Sequence, residues 1–322
     1  DMNDQNYIYI AIRRPDGYVG KPVETATSVF TMVTGTSNSS LPAFVSGFPV
    51  GFCLVRLPAS TDNWYANARL LGTKQLYANT NGSEGTDSNM VFDFNNGFYG
   101  ATSDMSSYQS WMWKRHAGFD VVTYKGDGVA GHAIPHSLSK SPEMIWIKSR
   151  GSTTQWCVGH KGRNGGVNPW NYFSALDGNG YDEDNAIAFN DTAPTSTHFT
   201  VGGADETANQ TSYNYIAMLF ASVDKISKVG YFDGSDSEQT ITTGFAPRFL
   251  IIKNVTVTED WHVFDTTRGW ASGNDTYIKL NTNDAQSTTY DFGAPTSTGF
   301  TLTGDNSAHN NAGQKFIYYA HA

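Results

Sequence analysis

Charge is scarce in this chain. Of 322 residues, 21 are basic and 30 acidic, together 16%, against about 25% in an average soluble domain. The shortfall is greater on the basic side. The resulting net charge of −9 argues against a nucleic-acid groove, which needs a basic face. Long apolar runs are lacking too, and none approaches the about 20 residues of a membrane span, so no membrane insertion is expected. Cysteine is almost absent. Cys53 and Cys157 stand 104 residues apart, and the geometric demands of a disulfide make a bond between them an unfavoured expectation. No stretch of about 11 residues keeps helical periodicity without a Gly, Pro or Asn cluster breaking it. In place of charge and helix formers the chain has 32 glycines, many Asn, Ser and Thr, and 14% aromatic residues. With 39% hydrophobic residues, disorder is excluded. β-branched and aromatic residues pack on pleated surfaces, while Gly, Asn and Asp take turn dihedrals, so the composition reads as all-β.

Internal repetition is the strongest signal. Arg56, Lys148 and Lys253 each close an apolar run, Phe52-Cys53-Leu54-Val55, Met144-Ile145-Trp146-Ile147 and Phe249-Leu250-Ile251-Ile252. Eight residues after each basic residue comes a tryptophan, Trp64, Trp156 and Trp261, at intervals of 92 and 105 residues. The later two copies also share Pro194-Thr195-Ser196-Thr197-His198-Phe199 and Pro295-Thr296-Ser297-Thr298-Gly299-Phe300, of which the first copy keeps Gly97-Phe98. Aromatic closing strands follow at Trp111-Met112-Trp113, Tyr215-Ile216-Ala217-Met218 and Phe316-Ile317-Tyr318-Tyr319. A fourth such strand, Tyr7-Ile8-Tyr9-Ile10-Ala11-Ile12, opens the chain. It is expected to end a repeat lying upstream, or else to be borrowed by the first body. The expected organisation is a closing strand and linker over 1–27, then β repeats over 28–117, 118–224 and 225–322. Short strands with turn signals every ~8–12 residues predict three tandem β-sandwich, jelly-roll-like repeats of about 100 residues.

The shared residues are expected to serve the fold, since a residue type recurring in every repeat usually does so. The apolar runs lack alternation, as in strands buried on both faces. Arg56, Lys148 and Lys253 are expected to bury their stems and keep their charges at the rim. Trp64, Trp156 and Trp261 are expected in the core rather than as sugar-stacking platforms. Chemistry is harder to find. Gly126-Asp127-Gly128-Val129-Ala130-Gly131 satisfies G-x-G-x-x-G, but Pro135 falls where the phosphate-binding helix should run, so it reads as a turn. His132 and His136 have metal-like spacing without a third ligand. Asp177, Asn179, Asp182 and Asp184 form a weak calcium candidate. The twelfth position of such a loop holds Ala188 instead of Glu, and the sixth holds Asp182 instead of Gly. A G-x-S-x-G nucleophile motif is absent, and the chain is expected not to be an enzyme and to carry no cofactor, calcium being the one candidate ion.

Three segments carry a resemblance: Tyr7-Ile8-Tyr9-Ile10-Ala11-Ile12-Arg13-Arg14-Pro15-Asp16-Gly17, Ser141-Pro142-Glu143-Met144-Ile145-Trp146-Ile147-Lys148 and Ala246-Pro247-Arg248-Phe249-Leu250-Ile251-Ile252-Lys253. They resemble the tandem β-domain repeats of marine bacteriophage virion proteins of the cyanophage kind, over essentially the whole chain. The first body departs from the pattern between Thr80 and Ser110. The resemblance implies a structural protein of the particle, a tail or fibre component that contacts the host surface. Its implied partners are other virion proteins, a host surface glycan or receptor, and further copies of itself. A carbohydrate-binding module of an extracellular protein and a capsid decoration protein are the alternatives. A module should show one repeat with a distinctive exposed aromatic cluster, and a fibre should show contacts between repeats.

Overall fold

A computed structural model describes residues 24–37, 40–100, 103–304 and 306–322. The strand expected at residues 7–12 lies outside them. The protein is all-β, built from three sandwich-like repeats. Among the described residues, helix is confined to the four-residue Ala26–Val29 and three short 3-10 turns.

Every repeat builds a six-stranded antiparallel sheet in the same order: opening strand, closing strand, second, third, fourth, fifth. In the first repeat these are Phe30–Thr34, Gln109–Trp113, Phe52–Arg56, Tyr65–Ala68, Lys74–Tyr77 and Gly85–Thr86. In the second they are Phe119–Lys125, Asn214–Phe220, Met144–Ser149, Cys157–His160, Tyr172–Ala175 and Glu183–Asp184. In the third they are Ser227–Asp233, Lys315–His321, Phe249–Asn254, Trp261–Asp265, Asp275–Lys279 and Ser287–Tyr290. A smaller sheet covers one face of each: Phe44–Val45 with Gly97–Phe98, His132–Pro135 with His198–Val201, and Gln239–Thr242 with Gly299–Leu302 and Pro295–Thr296.

The apolar runs are continuous because both faces of the large sheets are covered. Cys53 and Val55 enter an outer core with Phe44 and Phe98 of the small sheet. Ile145 and Ile147 do the same with Ile134 and Phe199, and Leu250 and Ile252 with Ile241 and Phe300. The alternate residues, Phe52 and Leu54, Met144 and Trp146, Phe249 and Ile251, face the other way. They meet in one central core to which all three repeats contribute. Trp113 meets Phe220 edge-on at 6.4 Å and Phe249 at 5.7 Å, and Phe220 meets Tyr319 at 5.0 Å. Burying each such ring contributes about 1.5–3 kcal/mol. The repeats are therefore tandem in sequence but closed on one another in space, not set out in a row as a rod would be. Their large sheets form the sides of a three-sided body whose small sheets lie outside.

Phe98, Phe199 and Phe300 occupy matching places in the three small sheets, and all are fully buried. Gly97 and Gly299 precede two of them where the strands approach closely. A Cβ there would run into the Phe44 and Ile241 carbonyls respectively.

Candidate functional site

The six shared residues lie at the three seams between repeats. Trp64, Trp156 and Trp261 are buried, and each indole donates to a main-chain carbonyl of a neighbouring repeat. Trp64 Nε1 reaches the Lys279 carbonyl at 2.7 Å, Trp156 Nε1 that of Tyr77 at 2.9 Å, and Trp261 Nε1 that of Ala175 at 3.0 Å. The basic residues follow the same direction. Arg56 Nη1 donates to Thr282 O at 3.1 Å, Lys148 Nζ to Asn81 O at 3.1 Å, and Lys253 Nζ to Asn179 O at 3.3 Å. A main-chain bond completes each seam: Gln286 N–H to Pro58 O at 2.7 Å, Glu84 N–H to Arg150 O at 2.9 Å, and Asp182 N–H to Val255 O at 3.0 Å. Repeat 1 thus joins repeat 3, repeat 3 joins repeat 2, and repeat 2 joins repeat 1. The cycle closes.

This corrects one expectation. Arg56, Lys148 and Lys253 do not carry their charges to the rim; their side chains are fully buried against carbonyl oxygens. Each lies on the strand face that points to the central core, so its head can leave only across the seam. Burial lowers the Lys148 ammonium to about 8 and the Lys253 ammonium to about 7, Asp177 opposing the first shift and Arg163 adding to the second. Burial also lowers Arg56 to about 10, against the pull of Asp62 and Asp284.

The calcium candidates do not converge. Asp177 Oδ1 accepts the Trp156 amide at 2.8 Å, and burial raises its carboxyl pKa. Asp182 pairs with the buried Arg163 at 2.5 Å and accepts the Asn164 amide at 2.7 Å. Asn179 presents its main-chain carbonyl to Lys253 and to the Glu259 amide, and Asp184 is exposed in an edge strand. Among the described residues no three His, Cys, Asp or Glu side chains are grouped to hold a metal. The repeat explains Asp177 instead. Asn79 and Asn281 accept the Trp64 and Trp261 amides in the same way, at 2.8 and 2.9 Å. Sequence reading missed these two asparagines because their distance from the tryptophan changes, being 15, 21 and 20 residues in the three repeats.

Other motifs fall into turns and cores. Gly126–Gly131 connects two strands, with Gly128 and Gly131 at φ of 75° and 85°. Cys53 and Cys157 are free and buried in outer cores, and burial pushes both thiols up. His160 does not meet Cys157; its ring nitrogens face the Gly162 amide and the Tyr318 carbonyl of repeat 3.

The distinctive cleft is in repeat 1, where the sequence leaves the shared pattern. The strand holding Phe199 runs four residues, and so does that holding Phe300, but in repeat 1 it stops at Phe98. Tyr99 then turns to φ 79°, a conformation costly for a bulky side chain. Tyr99, Tyr65 and Tyr108 line a cleft of about 240 Å³ with Asp87, Asp104 and Met105. Tyr65 Oη donates to Asp62 at 3.2 Å, and Tyr99 packs edge-on against Phe44 at 6.1 Å. Burial raises the Tyr99 and Tyr108 hydroxyls, reinforced by Asp87 for the first and Asp62 for the second, so both stay protonated. The outer cores of repeats 2 and 3 each contain a tryptophan, Trp170 and Trp270, whereas that of repeat 1 uses Met90 and Met105.

The sequence profile of a domain of unknown function, DUF7483, matches residues 72–322. The chain belongs to that family. Among curated proteins, none matches the chain. The DUF7483 match begins just before the fourth strand of repeat 1, so it includes Asp87, Tyr99, Asp104 and Tyr108 and leaves out Arg56, Trp64 and Tyr65. Two seams therefore have both their indole and their basic donor inside the DUF7483 region, and the third has its donors outside it.

Proposed function

We propose that this DUF7483 protein is a non-enzymatic structural component of a phage particle, placed in the tail or a fibre, where it contacts the host surface. The observation that carries the reading is the cyclic seam. The residues common to all three repeats are used to lock the repeats together, and contact between repeats is the feature expected of a fibre rather than of a carbohydrate-binding module, here in a closed body instead of a rod. The resemblance of the repeats to marine phage virion proteins supplies the setting.

In this reading the partners are other virion proteins, a host surface glycan or receptor, and further copies of the chain. Nucleic acid and membrane insertion have no part in it. Among the described residues no helix is long and apolar enough to cross a membrane. The aromatic closing strands lie between two other strands of each sheet with most of their side chains buried. Contacts between copies therefore fall to the outer loops and sheet edges. Repeated copies on one particle raise the effective concentration of weak surface contacts, so attachment needs no strong single site.

Immunogold labelling of intact particles, with binding of the purified chain to host cells, tests the proposal. Label on the tail and coating of cells are expected. Label on the capsid lattice would make the chain a decoration protein, and turnover of a glycan would overturn the non-enzymatic reading.

A further inference from the structure

We infer that the repeat 1 cleft is a binding site for one ring of a neutral saccharide. The inference deepens the attachment reading by naming the ligand class, and it rests on that reading for its biological setting. Three linked features meet there. The cleft lies in the repeat that departs from the shared pattern, the strand that would continue past Phe98 is cut short, and Tyr99 is held at φ 79° beside it. Backbone strain of this kind persists where the surroundings impose it, and it clusters at ligand clamps.

The chemistry of the lining selects the ligand. Tyr65, Tyr99 and Tyr108 bring phenol rings, flat apolar surfaces suited to the C–H face of a pyranose. The protonated hydroxyls of Tyr99 and Tyr108 both donate and accept hydrogen bonds, whereas those of Tyr65, its proton given to Asp62, and Ser103, bonded to Tyr99, remain as acceptors. Asp87 and Asp104 accept only. Each Oδ1 takes a nearby main-chain amide, of Asn89 and Ser106 respectively, both at 2.9 Å, and the Asp104 carboxylate takes the Ser106 hydroxyl as well, which leaves lone pairs for a ligand hydroxyl, most freely on Asp87. A sugar hydroxyl, itself donor and acceptor, matches this mixture. An ammonium ion would satisfy the carboxylates but give the phenol protons nothing to bond. Two carboxylates without a facing cation repel uronic acids, sialic acids and phosphates. The volume of about 240 Å³ is below the about 300–1,000 Å³ of pockets for drug-sized ligands, which suits one ring.

The test is saturation-transfer NMR and calorimetry on the full 322-residue chain. The probes are glucose, galactose, mannose, N-acetylglucosamine and rhamnose, with choline as the cationic counter-probe. At least one sugar is expected to bind and choline is not. The double substitution Asp87→Asn with Asp104→Asn is expected to weaken that binding about tenfold or more, because hydrogen bonds to carboxylates are the stronger kind. Tyr65→Phe, which removes one hydroxyl, is expected to weaken it less while leaving the melting temperature close to that of the natural chain. The inference is overturned if none of the five sugars binds, if binding survives the double substitution unchanged, or if choline binds in their place. Particle labelling reads the attachment proposal separately. Tail label without sugar binding removes the cleft alone, and sugar binding without label removes the particle assignment alone.

Discussion

Trp261→Ala tests whether the three repeats are one cooperative body. The ring is almost fully buried in the central core, and its Nε1 bonds to Ala175 of another repeat. Truncating a buried tryptophan costs about 3–5 kcal/mol through lost burial and the cavity left behind. The lost seam hydrogen bond accounts for about 1 kcal/mol, so about 4 kcal/mol is a fair working value. The size of the unfolding unit decides how far this moves the melting temperature. At about 2.1 cal/mol/K of unfolding entropy per residue, a cooperative unit of 322 residues shifts by about 6 °C. A repeat of about 100 residues melting alone would shift by about 19 °C on the same scale. The cyclic seams require the smaller shift, in a single transition seen alike by calorimetry and by near-UV circular dichroism. Trp64→Ala and Trp156→Ala should lower that same transition. Two separated transitions, or a shift near the larger value, would refute the closed body. An unchanged melting temperature with lost attachment to cells would make Trp261 a ligand platform.

Acid should destabilise the fold. Burial holds His262 and His309 down to about 4 and His321 to about 3, so below about pH 6.5 the unfolded chain takes up protons that the folded chain refuses. Asp275, raised to about 6 by burial, acts in the opposite sense, its contribution being lost as pH rises through that value. Burial also lowers His136 and His160 and raises Asp177, so five lowered imidazoles stand against two raised carboxylates, and thermal melts at about pH 5 should lie below those at about pH 7; a higher melting temperature at the lower pH would contradict this balance. Above neutrality the buried lysines act first. On Lys148 and Lys253 the unfolded chain binds more protons than the folded one from their lowered values up to about 10.4. Stability therefore rises with pH from about 7 to about 8.5, above which the raised thiols of Cys53 and Cys157 oppose the rise, and Lys253→Met should flatten it. Equal slopes in the two proteins would show that Lys253 is not the source. Asp177→Asn should keep the melting temperature within about 2 °C, since asparagine does the same work at positions 79 and 281. Added calcium should leave it unchanged, whereas a bound site at a hundredfold excess over its dissociation constant would add about 2.7 kcal/mol.

Much of the architecture is legible in local pattern. A strand covered on both faces cannot alternate, so the apolar runs before Arg56, Lys148 and Lys253 announce two cores before any coordinate is seen. The fixed interval to the tryptophans marks the repeat because the hairpin between them is tightly constrained. Closure is not legible, because its acceptors are main-chain carbonyls of Tyr77, Ala175 and Lys279, and a carbonyl carries no residue signature. The rim position expected for the basic residues fails for the same reason. Nothing in sequence shows that a carbonyl of the next repeat waits where water was assumed. The cleft is equally hidden, since Tyr65, Tyr99 and Tyr108 come from separated segments and meet only in space. A faint sign exists in the divergence of repeat 1 between Thr80 and Ser110, the stretch that supplies seven of the nine residues lining the cleft.

The bond from Trp64 to Lys279 spans 215 residues, and that from Arg56 to Thr282 spans 226. During synthesis on the ribosome, the inner face of repeat 1 is therefore made long before its partner in repeat 3 exists. Trp64, Trp111 and Trp113 must wait, uncovered on that side, through the translation of about 150 further residues, at about 5–20 residues per second. Such a nascent chain offers a sticky aromatic surface for about 8 to 30 seconds at those rates. Chaperone dependence during expression, and aggregation of chains cut short before Lys315–His321, follow from the ring being closed by its last strand.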